Sequence, residues 1–122
     1  MRRRCALVLA VLGVLFAAAP AGAAHVDPSE FVGTYRLHMA GPTSSDETSA
    51  IVTADGHVYS AFFGTGYWSH HGERVKLLFF VASQPWVFRG ELSAQGFCAK
   101  TAPCSATVNG RRVGTWWAVK KR

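Results

Sequence analysis

The chain has 122 residues, a formal charge of +6 and three cysteines. Arg2, Arg3 and Arg4 inflate that charge; without them ten Lys and Arg face seven Asp and Glu, leaving about +3. The remaining cations are scattered apart from Arg111-Arg112 and Lys120-Lys121-Arg122, which lacks the dense basic stripe of a nucleic-acid binder and excludes that class of partner.

The first element is a leader. Met1-Arg2-Arg3-Arg4 is a positive head, Ala6 to Ala19 an uncharged apolar run, and Ala21 to Ala24 a set of small residues suited to cleavage. That layout reads as a secretory signal peptide over residues 1–24, cut after Ala23 or Ala24. A stable membrane anchor needs about 20 apolar residues, and this run is shorter and ends at Pro20. Cys5 precedes the run, so it is not a lipid-bearing cysteine. Residues 25–122 then form one small domain, expected to be secreted or periplasmic.

From there the pattern is all-β: short runs of Val, Thr, Tyr, Phe and Trp broken by glycine near every tenth residue. Phe31 to Met39 alternates Phe31, Gly33, Tyr35 and Leu37 on one face with Thr34, Arg36 and His38 on the other. Ala40 to Thr48 reads as a polar loop. Asp55-Gly56 and Asn109-Gly110 are hairpin signals, and further turns are expected at His71-Gly72, around Ser83-Gln84 and over Ser93 to Gly96. About eight strands with short turns imply an antiparallel up-and-down meander. Closing strand eight on strand one would make a small barrel without edges. An open sandwich is the alternative, although its crossings are usually longer. Gly33, Gly64, Gly66, Gly90 and Gly114 would bend the strands around such a barrel.

Cys98 and Cys104 survive processing, and an even count in an exported domain reads as one disulfide. Six extended steps would separate them by roughly 20 Å, against about 5.5 Å for a bridge. The intervening Ala99 to Pro103 must therefore loop out or turn back.

The first-strand Gly33-Thr34-Tyr35, the hairpin over Ser49 to Trp68 and the closing Gly114-Thr115-Trp116 together resemble the calycin barrels, the group of avidins and lipocalins. That resemblance implies that Tyr35 plugs one barrel end under a basic cover, Lys120 or Arg122, as a cation–π pair. Tyr35 stands where those families usually carry tryptophan, and no biotin-contacting loop is matched. Small exported barrels that inhibit proteases agree equally well in size and leader.

Fourteen aromatic residues follow the leader. They suit either a packed core or one small internal ligand. The expected lining of a hydrophobic or aromatic ligand is Tyr59, Trp68, Trp86, Phe88 and Trp117, with Trp117 inward beside Val113, Thr115 and Val119. Leu77 to Phe80 and Trp116-Trp117 break strict alternation, so Leu78, Phe80 and Trp116 are expected outside, on a contact patch for a second copy or a partner protein. The rival reading is thus a protein-binding module such as an enzyme inhibitor, using that patch or a flexible arm from Ala24 to Glu30; an envelope assembly component is a third. Asp55 reads as a turn residue, the other carboxylates stand singly, and no catalytic triple is suggested. Among His25, His38, His57, His70 and His71 no pair has ligand spacing. No metal, cofactor or catalytic residue is expected.

Overall fold

The structure, a computed structural model, describes residues 26–122. The leader assigned to residues 1–24, and His25, lie outside them. Nine strand segments follow one another: β1 Gly33–Ala40, β2 Ser45–Val52, β3 His57–Ser60, β4 Gly64–His71, β5 Arg74–Val81, β6 Gln84–Ser93, β7 Gly96–Phe97, β8 Cys104–Val108 and β9 Arg111–Lys120. Every pairing is antiparallel, and β1 pairs with both β2 and β9, which closes the sheet. Segments β7 and β8 both lie between β6 and β9. They are one stave in two pieces, so the barrel has eight staves.

The break in that stave is the cysteine loop. Cys98 and Cys104 are bonded with Cα atoms 6.0 Å apart. Between them Ala99 and Ala102 bridge each other, and the Ala102 amide donates to the Ala99 carbonyl at 3.0 Å. The chain leaves the barrel, turns back and rejoins it, as the distance between extended cysteines required. Cys98 takes a φ of 55° to do so.

Turn chemistry explains the tight connections. Asn109 and Gly110 take φ of 52° and 78°, the two positive values of a type I′ hairpin, and join Val108 to Arg111. The β5–β6 turn falls on Ala82-Ser83, one residue before the expected Ser83-Gln84, because Gln84 already pairs with Val81. Neither residue is glycine or asparagine, yet their φ values are 53° and 68°. Left-handed backbone of this kind costs roughly 1–2 kcal/mol per residue. The polar segment Ala40 to Thr48 is mostly sheet, not loop. Ala40 pairs with Ser45 and β2 runs on through Thr48, because backbone pairing at the barrel's rim tolerates polar side chains that face water.

The two mouths are stopped by phenylalanines. Asp27 caps a short 3₁₀ turn, Pro28–Glu30, by accepting from the Ser29 amide at 2.9 Å. This segment, expected to be a flexible arm, instead delivers Phe31, fully buried, to one end. At the other end the Ser60 hydroxyl oxygen accepts from the Phe63 amide at 3.1 Å, which sets the Phe63 ring inward against Phe79 and Phe88.

The two adjacent tryptophans are placed opposite to expectation. Trp116 is fully buried inside and Trp117 is outside. Counting Val113 and Val119 as inward favoured Trp117, but the interior sorts by volume. On β6 the residue beside the Trp116 ring is Gly90, where an added Cβ would sit 2.7 Å from Trp116 Cζ2 and 2.6 Å from Cys98 Sγ. A glycine makes the space that the indole fills, and its N–H donates to the Arg89 carbonyl at 3.2 Å. Outside, Trp117 stacks on His38 of β1, its cross-strand partner, with centroids 3.8 Å apart.

Trp116→Ala should therefore cost about 3–5 kcal/mol of stability. Trp117→Ala should cost no more than roughly 1.5 kcal/mol, the worth of one aromatic pair. Urea denaturation followed by circular dichroism measures both; equal losses would contradict the assignment.

Candidate functional site

Inside the barrel the rings touch in sequence from mouth to mouth. Phe63 meets Phe88 at 5.2 Å, Phe88 meets Trp116 at 5.6 Å, Trp116 meets Phe97 at 6.2 Å and Phe97 meets Phe31 at 6.2 Å. Of the residues expected to line an internal ligand, Phe88 is a buried member of this column. Trp86 and Trp68 face inward near opposite mouths, half-buried, 5.3 Å from Phe63 and 5.5 Å from Phe31 respectively. The Trp68 indole donates to the Thr53 carbonyl at 2.7 Å. Tyr59 and Trp117 point away from this interior. Tyr59 pairs with Ile51 and Thr65 on the outer surface, because its neighbours Val58 and Ser60 take the buried positions.

The residues expected to close the barrel meet at the Phe31 end. Tyr35 is buried, stacks on Phe97 at 4.3 Å, and donates its hydroxyl to the Phe31 carbonyl at 2.7 Å. Lys120 Nζ lies 5.9 Å from the Tyr35 ring centroid, within cation–π reach. Arg122 is exposed.

The outer surface carries a second pattern, legible in the strand register. Tyr67 of β4 lies opposite Leu78 of β5, which lies opposite Val87 of β6; Phe80 lies opposite Pro85. Ile51 and Tyr59 pair with each other on β2 and β3, and Tyr59 lies opposite Thr65 of β4, diagonal to Tyr67. Phe80 and Tyr67 are each 55% exposed, and Ile51 and Tyr59 are 42% and 41% exposed. Five neighbouring strands at about 4.8 Å spacing therefore carry one apolar band. The expected patch residues Leu78 and Phe80 belong to it, whereas Trp116 does not. Tyr67, Ile51 and Val87 were missed, although Tyr67-Trp68 shows the same adjacent-bulky signal as Leu77-Leu78 and Phe79-Phe80: one side chain must face out.

No protein family, characterised protein or solved structure matches this chain.

Two polar rows lie beside the band on the same strands. His71, Arg74 and Glu91 form one; Ser69, Lys76 and Arg89 form the other, nearer the band. All six are exposed and line a surface groove of about 500 Å³. The histidines do other work. His70 points inward, 4.5 Å from Phe31. His38 Nδ1 is 3.6 Å from Glu47, which also binds Arg36 at 2.8 Å. Asp55 sits in the β2–β3 turn; its hydrogen bonds from the Thr53 hydroxyl and from His57 lower its pKa. Among the described residues no three His, Cys, Asp or Glu side chains gather at one point.

Burial pushes the Tyr35 phenol up to about 12 from 10.0. The unfolded chain releases this proton near pH 10 and the folded chain near pH 12, so the contribution is whole below pH 10 and lost as pH climbs through 12. Denaturation midpoints at pH 9 and near pH 12 should show an alkaline loss of roughly 2–3 kcal/mol from this group. Tyr35→Phe should remove that loss; an unchanged alkaline slope would contradict it.

Proposed function

We propose that the chain is an exported, calycin-type barrel that acts as a protein-binding module through the outer face of β2 to β6. The observation that carries this reading is the apolar band of exposed Ile51, Tyr59, Tyr67 and Phe80 with half-buried Leu78, beside an interior threaded by its own rings. Contiguous exposed apolar surface marks interaction sites. Tyrosine suits them because one rigid side chain offers both apolar area and a hydroxyl. Export draws its support from the Arg-rich leader pattern and from the Cys98–Cys104 bridge, which persists in oxidising compartments. No helix among the described residues is long and apolar enough to cross a membrane.

The β5–β6 turn adds a second argument. Its left-handed Ala82 and Ser83 adjoin Phe80 and Pro85, and strain of this kind collects where a surface is held in a working shape. An internal hydrophobic ligand would have to displace Phe88 or Trp116, at a cost of several kcal/mol in packing.

The test is site-specific photo-crosslinking in the native exported fraction. A benzophenone side chain at Phe80 should yield a discrete protein adduct, and one at Thr115 on β9 should not. Tyr67→Ser should reduce the Phe80 adduct severalfold without changing the fold. Equal labelling from both positions, or none from Phe80, would overturn the reading.

A further inference from the structure

The outer face of β4 to β6 divides into an apolar half and a cationic half, in register. Along β5 the outward side chains are Arg74, Lys76, Leu78 and Phe80 in that order, and those of β6 opposite them are Glu91, Arg89, Val87 and Pro85. Lys76 and Arg89 are directly paired across the strands, an arrangement of like charges that destabilises a sheet. Among the described residues the close contacts between basic side chains and carboxylates are Arg36–Glu47, His38–Glu47 and His57–Asp55. None involves Lys76 or Arg89, whereas Arg74 lies opposite Glu91. The groove above these cations is lined by a single carboxylate, Glu91. The sheet thus sets the paired cations Lys76 and Arg89 beside the exposed rings of Tyr67 and Phe80.

We propose that the partner of this face is an acidic polypeptide segment that sets apolar side chains on Tyr67, Leu78 and Phe80 and carboxylates over Lys76, Arg89 and Arg74. The inference rests on the protein-binding reading above and names its chemistry. Spacing supports a polypeptide. Same-face residues on a strand recur at about 6.8 Å, and an extended peptide lying along β5 repeats at that interval. Two apolar residues in alternate positions, followed by two acidic ones, would meet Phe80, Leu78, Lys76 and Arg74 in turn. Arginine forks donate two parallel hydrogen bonds to a carboxylate, and Arg74 and Arg89 flank the groove on adjacent strands. A second copy of this chain is the poorer occupant, since the same cations would face each other across a two-fold interface.

The experiment is fluorescence anisotropy of the exported domain with a labelled seven-residue peptide, phenylalanine at its first and third positions and glutamate at its fifth and seventh, serine between. The same peptide with lysine for glutamate, and phosphatidylglycerol vesicles, are the comparison probes. The glutamate peptide should bind, and the lysine peptide should bind at least about tenfold more weakly. Lys76→Glu with Arg89→Glu should weaken the glutamate peptide by about tenfold or more, as should high salt. These positions are exposed, and circular dichroism verifies the fold of the double variant.

If charge reversal leaves peptide binding unchanged while Tyr67→Ser with Phe80→Ser abolishes it, the acidic assignment falls and the apolar binding face stands. If charge reversal weakens the peptide while the serine pair does nothing, the apolar face falls. No binding of the glutamate peptide at millimolar concentration, or binding of vesicles in its place, overturns the inference.

Discussion

The contact between the Trp116 indole and the bare backbone of Gly90 holds the rest of the structure in place. A side chain at residue 90 would collide with the indole and with the Cys98 sulfur, and without the indole the middle of the ring column would be empty. Each phenylalanine in that column contributes roughly 1.5–3 kcal/mol by leaving water. In a domain this small, where surface is large relative to core, few other terms of that size are on hand. The disulfide is one. It closes a short loop worth about 2 kcal/mol and sits against the same glycine, so covalent staple and ring column support a single point.

The ring column spans the barrel from mouth to mouth. In a barrel with a hollow centre, outward side chains need only be soluble. Here a column of rings runs through the interior, and the outer surface carries a band of rings and aliphatic side chains over five strands, bordered by the paired cations Lys76 and Arg89. The curvature of the closed sheet presents that row as a convex ridge, with Phe80 near the strained Ala82-Ser83 turn. Closure also removes the free strand edges, so a partner meets side chains and not an open hydrogen-bonding edge.

Much of the fold was legible because strand alternation and turn chemistry are local. Asn109-Gly110 and the Ser93 to Gly96 turn fell where expected, and the inward Leu77, Phe79, Trp86 and Phe88 followed from parity alone. The cysteine spacing demanded a loop, and the loop is there. Parity failed at Trp116-Trp117, where both choices are bulky and the decision belongs to Gly90, distant in sequence. It failed again at Tyr59, where a four-residue strand gives too few positions to count. Polar Ser45 to Thr48 concealed a strand because rim residues need no apolar face. The outer site was half visible. Unbroken bulk at Leu77 to Phe80 showed that something faces out, but joining Tyr67 to Leu78, and Lys76 to Arg89, required the register between strands.

Trp116 stands in the ring column while Trp117 lies outside against His38. A nuclear Overhauser spectrum of the oxidised domain tests it most directly. Cross-peaks should join the Trp116 ring to the Phe88 and Phe97 rings, and the Trp117 ring to the His38 imidazole. Cross-peaks from Trp117 to Phe88 or Phe97, with Trp116 joined only to surface protons, would contradict it.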